Sequence, residues 1–150
     1  MLQIKTLLHS LCLAYINQRI DTAQKAIEIA QASANEETKS SAGDKYETGR
    51  AMMQLEIEKN SVQLAEAMKL KKALTDINPE KETITIQPGS AVITNQGNFY
   101  ISISAGQLKV NDQIYFAISP VSPIGAKLIG LKEGDQIAFN TKEYRIVKVI

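Results

Sequence analysis

The chain has no tryptophan, a single cysteine and no proline before Pro79. Each shortage closes off a class of protein. One thiol, Cys12, cannot build an internal disulfide framework, and it leaves too few thiolates for a structural zinc site. Aromatic residues make up 5% of the 150 positions, too few for a platform on which nucleobases stack. The net charge is +1 and near balance in both halves, so no basic face is available to hold nucleic acid by charge alone. No apolar run is long enough to span a bilayer, which predicts no membrane partner. The opening MLQIKTLLHSLCLAYI places a Lys ahead of an apolar stretch, as a signal peptide does. His9 and Ser10 interrupt that stretch, however, no small-residue cleavage site follows, and Leu11 is too large to precede a lipidated cysteine. A cytoplasmic protein is the expectation.

What is present divides at TDINPEKE, Thr75 to Glu82. Before it lie only Gly43 and Gly49; from Pro79 onward come all four prolines and the other six glycines. The predicted organisation is a helical region over residues 1–76, a linker over 77–82 and a β-rich domain over 83–150. In the first region Leu13, Ile16, Ile20, Ala23, Ile27, Ala30 and Ala34 recur at steps of three and four, a heptad seam. A second seam runs through Met53, Ile57, Leu64, Ala67 and Leu74, with Asn60 and Lys71 at two positions of the same phase. Two such segments joined by a short polar turn read as an antiparallel coiled-coil hairpin that folds back on itself, so a monomer is expected. Each arm of roughly 30 to 35 residues would be about 45–50 Å long.

The second region changes period. TITI, SAVIT, NFYISIS, QIYFAIS, QIAFN and EYRIVKVI are short runs rich in β-branched and aromatic residues. NQG (Asn95 to Gly97) and NTKE (Asn140 to Glu143) are candidate hairpin turns. Ser122 as N-cap, Pro123 at the first helical position, IGAKLI and then Gly130 as a stop predict one short helix. The fold class expected is α+β: the hairpin followed by a small antiparallel β domain with a single helix on it.

The turn between the two arms, SSAGDKYETG, carries Asp44 and Glu47 at i and i+3, on one helix face near residues 41–48. Two readings stand. In one, Asp44 or Ser41 caps the second arm, Glu47 returns the capping-box bond, and both carboxylates suit the helix dipole. In the other, they offer hard oxygen ligands to a Mg²⁺ whose remaining positions are filled by another macromolecule. His9 and Cys12, one helical turn apart, have the residue types of a nucleophile and its base. They fall in the apolar stripe of the arm with no third group to orient the imidazole, so packing is expected of them rather than catalysis. The glycines of PGSA, AGQ and IGLKEGD have no phosphate-loop spacing and read as turns. Tyr100, Tyr115 and Tyr144 alternate with apolar residues, as core or sheet-face residues do.

The run Ile118 to Phe139, ISPVSPIGAKLIGLKEGDQIAF, resembles the C-terminal domain of the Gre family of bacterial transcript-cleavage factors. GSAVIT (Gly89 to Thr94) resembles the strand that opens the same domain, and GDKYE (Gly43 to Glu47) matches the family's acidic tip, Gly-Asp-x-x-Glu. The resemblance implies an FKBP-like β domain and a partner, RNA polymerase. That domain would dock at the rim of the secondary channel through Ser122 and Pro123, and the coiled coil would reach inward. It also implies that Asp44 and Glu47 help hold a second Mg²⁺ with which the polymerase cuts its own backtracked RNA. The factor would touch the RNA 3′ end only indirectly. On that reading the chain is not itself an enzyme, has no tightly bound cofactor, and meets Mg²⁺ only in the polymerase complex. Prolyl isomerase activity is not implied, since the aromatic-lined pocket it needs is missing from the sequence. After Glu47 the family continues Asn-Ala-Glu-Tyr, whereas this chain has Thr48, Gly49, Arg50 and Ala51. An acidic residue often precedes the Ser-Pro pair, and here that position is Val121. A channel-binding regulator without cleavage activity, or a coiled-coil adaptor in which Asp44 and Glu47 only cap, remains open beside the cleavage factor.

Overall fold

A computed structural model describes the backbone of residues 2–39 and 43–150, and the side chains of residues 3–36 and 48–150. Two long helices come first, α1 (Leu2–Lys39) and α2 (Gly43–Thr75). Six strands and one short helix follow: β1 (Ala91–Thr94), β2 (Asn98–Ile101), β3 (Gly106–Val110), β4 (Gln113–Ile118), α3 (Pro123–Leu128), β5 (Gln136–Phe139) and β6 (Lys142–Val149). This is the α+β class, a helical pair followed by a small β domain. The composition step near Pro79 marks the passage from helix to sheet, for α2 ends at Thr75. The compact units divide elsewhere: one comprises Ile16–Lys71, the other Met1–Tyr15 together with Lys72–Ile150.

In the helical unit the heptad pattern accounts for burial position by position. Ile16, Ala23 and Ala30 of α1 are buried, with Ile20, Ile27 and Ala34 half-buried between them. On α2, Ala67 and Asn60 are buried while Met53, Ile57, Leu64 and Lys71 are half-buried. Asn60 occupies a seam position and satisfies its amide on its own helix, donating to the Glu56 carbonyl at 2.8 Å and to Glu56 Oε1 at 3.1 Å.

In the β unit the sheet order is β3-β4-β2-β1-β6-β5. β1 and β2 form a hairpin around NQG, with Thr94 Oγ1 donating to the Gly97 carbonyl at 2.6 Å. β5 and β6 form another around Asn140 and Thr141, which adopt positive φ of 50° and 65°, the backbone of a two-residue turn. Three features differ from the sequence expectation. TITI makes only one bridge, Thr85 to Lys132, and is not a strand. Its place in the count is taken by β3, GQLKV, a stretch whose Gly and Lys weaken the strand signal. The sheet is also mixed, because β3 comes between β2 and β4 in the chain but lies outside β4 in the sheet, so β4 runs parallel to β2.

The sheet buries both faces at β2, which explains why Phe99, Tyr100 and Ile101 are all buried. On one face Val92, Phe99, Ile101 and Ile146 join Ile86 and Leu128 of α3 in an apolar cluster. Fully burying side chains of this size contributes about 1.5–3 kcal/mol each. The opposite face carries Tyr100 and, just beyond the strand, Ser102. It meets the first turns of α1, where Leu8 and Cys12 are fully buried.

Candidate functional site

Asp44 and Glu47 lie in the opening turns of α2, three residues apart and thus on one face of the helix. Their side chains, and Ser41 altogether, lie outside the described residues. Since α2 begins at Gly43, Asp44 is a first-turn residue, a position where a carboxylate is stabilised by the helix dipole. Two hard anionic donors one turn apart suit a shared Mg²⁺ and are too few to hold one alone. Among the described residues no group of three or more His, Cys, Asp or Glu side chains could hold a metal ion.

Ser122 and Pro123 build the start of α3 as their residue types require. Ser122 has extended backbone, its hydroxyl accepts from the Gly125 N–H at 3.1 Å and donates to the Ser119 carbonyl at 2.6 Å, and Pro123 takes the first helical position. The helix ends at Ile129, whose N–H returns to the Gly125 carbonyl, and Gly130 follows with φ +85°. Gly125 is required here by space: a Cβ would lie 2.1 Å from the Ser119 carbonyl oxygen and 2.7 Å from Ser122 Oγ. The cap uses the Ser122 hydroxyl as both donor and acceptor within its own loop. The outward apolar surface of this loop is Val121, 86% exposed.

The structure also assembles a polar set that sequence reasoning missed. His9 and Cys12 do not face the coiled-coil seam; they face the sheet. His9 Nδ1 is 2.8 Å from the Tyr100 hydroxyl, with the two rings edge to face, and Cys12 Sγ is 3.5 Å from Ser102 Oγ. The imidazole therefore does have an orienting partner. Lys5, one turn earlier and fully buried, donates its ammonium to the Lys81 carbonyl. The electrostatics are those of a closed packing interface. Burial lowers the pKa of His9 and of Lys5, the latter opposed by nearby Glu82, and raises those of Cys12 and Tyr100. A thiol held protonated by burial is a poor nucleophile, so the pair is not an activated Cys–His couple. The spacing 5-8-12 on α1 was the available signal, since it lies out of phase with the heptad seam followed from Leu13 onward.

No protein-family model and no curated protein matches the chain. A solved structure of the transcription factor Gfh1 is similar over 91% of this chain and 92% of that chain, at 19% identity and a TM-score of 0.35. A likeness of that degree defines neither a family nor an activity. No helix among the described residues is long and apolar enough to cross a membrane.

Proposed function

We propose that this chain is a transcription elongation factor that binds RNA polymerase, inserts its helical hairpin into the secondary channel and stimulates cleavage of backtracked RNA. The observation that carries the reading is the position of GDKYE: the motif resembling the Gre tip begins the second of two long helices, with Asp44 and Glu47 on one helix face. The Ser122–Pro123 helix start, within the run that resembles the Gre docking domain, supports it. The chain then has no catalytic cycle of its own. Asp44 and Glu47 contribute two carboxylates to a Mg²⁺ that the polymerase shares. Such an ion activates water and offsets charge that develops on a phosphoryl group. The work of the residues is to carry those donors to a site in another protein, and the docking domain holds the factor at the channel rim.

A second reading is favoured by the residues after the motif. Thr48 and Arg50 are exposed on α2, and Arg50 places a cation about one turn beyond Glu47. Gly49 lowers helix propensity by about 1 kcal/mol relative to Ala. A factor with this tip would occupy the channel and regulate the polymerase without promoting cleavage. RNA cleavage in backtracked elongation complexes separates the readings. Wild-type stimulation that disappears in the Asp44→Asn, Glu47→Gln double variant is the expected result. Polymerase binding with no stimulation would leave the regulator, and no binding at all would leave a coiled-coil adaptor.

A further inference from the structure

The two edges of the sheet are treated differently, and the difference defines a binding surface. In a two-residue hairpin the residues flanking the turn bond to each other, and alternate residues point their amides outward. In β5 this makes Ala138 an outward residue, and its carbonyl is indeed occupied by Lys127 Nζ at 3.1 Å, which also sits 5.6 Å from the centre of the Phe139 ring. A side chain thus engages that edge at this one carbonyl. In β3, joined to β4 through Asn111 and Asp112 at φ 51° and 64°, the same rule turns Gln107 and Lys109 outward. No hydrogen bond from another strand or side chain reaches their main chain among the described residues. A cleft of about 340 Å³ opens beside this edge, lined by Leu7, Ser10 and Leu11 of α1 and by Lys109, Val110 and Asn111. Leu7 and Leu11 are 48% and 38% exposed there, more than large aliphatic side chains in a finished core.

We infer that β3 is a strand-addition site for an extended segment of another protein, one that alternates acidic and aliphatic residues. The free edge calls for extended backbone, because only a strand can match its donors and acceptors. The pleat then assigns the side chains. Those on the Leu108 and Val110 face enter the cleft against Leu7 and Leu11, and those on the other face lie beside Lys109. Lys109 selects acid there. Its contact with Asp112 at 3.9 Å is between exposed groups and holds it weakly. The same charge disfavours a second copy of the chain, since pairing β3 with β3 would bring like charges together.

The test uses the full chain and short acetylated peptides of alternating Glu and Leu, with an alternating Lys and Leu peptide as the control. Binding is followed by fluorescence anisotropy and by amide shifts. The expected result is saturable binding of the Glu/Leu peptide with the largest shifts at Gln107 and Lys109. Lys109→Pro, which removes an outward N–H at an edge position, should weaken it about tenfold. Leu11→Arg, on the helix and away from the strand ladder, should weaken it as well, and Lys109→Glu should reverse the preference toward the Lys/Leu peptide. Equal binding of both peptides, shifts confined to other elements, or a Leu11→Arg variant that binds like wild type would overturn the inference. Dimerisation of the free protein through β3 would overturn it in favour of self-pairing.

Discussion

His9 Nδ1, on the third turn of α1, lies 2.8 Å from the hydroxyl of Tyr100, a fully buried residue of β2. The bond joins residues 91 positions apart. It ties the start of the chain to the sheet through two groups that are each costly to bury unpartnered.

Removing the Tyr100 hydroxyl should therefore destabilise the protein beyond the loss of one atom's packing. Tyr100→Phe is expected to cost about 1–2 kcal/mol, read as a lower urea midpoint with an unchanged slope. Combined with His9→Gln in a double-mutant cycle, it should show coupling, since the two side chains share the bond.

The same residue predicts a pH dependence. Burial lowers the His9 pKa, so the folded state binds this proton less readily than the unfolded chain does. Stability then rises with pH between the folded-state value and the ordinary imidazole value of about 6.5. Acidification from neutral pH through that window should reduce stability, and the loss should level off below the folded-state value. The difference in unfolding free energy between wild type and His9→Gln, measured across that window, isolates this contribution from the carboxylates.

Lys5 is a buried ammonium whose lowered pKa reflects desolvation, with Glu82 compensating in part. Replacing a buried charge by an apolar side chain of similar length is often neutral or stabilising. Lys5→Met should keep stability within about 1 kcal/mol of wild type. Lys5→Glu, which buries an anion near Glu82, should cost about 3–5 kcal/mol in chemical denaturation.

At α3 two substitutions separate structure from docking. Ser122→Ala removes the cap and should cost about 1 kcal/mol. Gly125→Ala forces a methyl group against the Ser119 carbonyl and should cost about 2 kcal/mol or more. Val121→Arg changes only an exposed side chain and should leave the thermal midpoint unchanged. A loss of polymerase binding in Val121→Arg, read by co-sedimentation, would then belong to the surface itself.

In the helical unit, Asn60→Leu should raise stability by about 1 kcal/mol or more, because a buried polar seam position trades stability for register. Thermal unfolding checks the gain. Sedimentation checks whether the variant stays monomeric, the state expected of the wild-type hairpin.

Much of this arrangement could be read from residue spacing. The two seams appear in the structure as the buried and half-buried positions of α1 and α2, because a 3.5-residue period leaves only one face to bury. Ser122, Pro123 and Gly130 bounded α3 because cap geometry is local and needs no distant partner. β3 was not legible: a stretch with Gly106 at its start and Lys109 within it becomes a strand by pairing with β4, a stabilisation that comes from outside the segment. TITI failed for the opposite reason. It has strand composition, yet only Thr85 forms a bridge. Of the candidate site, the positions of Asp44 and Glu47 on one helix face follow from spacing, whereas the partners of His9 and Cys12 do not.

The sequence by itself determined the elements whose signals are local: two long amphipathic helices, the hairpin turns at Asn95–Gly97 and Asn140–Thr141, and the capped helix at Pro123. Periodicity, turn chemistry and caps act over a few residues, so their outcome is written where they occur. The tertiary structure alone decided which way β4 runs beside β2, and that Lys5, His9 and Cys12 turn toward the sheet. It alone decided that Lys127 engages the Ala138 carbonyl on the β5 edge, while the outward main chain of Gln107 and Lys109 on β3 meets no such group among the described residues. Those outcomes depend on which distant surfaces can be buried together with every polar group satisfied. That condition belongs to the whole β unit, and no short stretch of residues contains it.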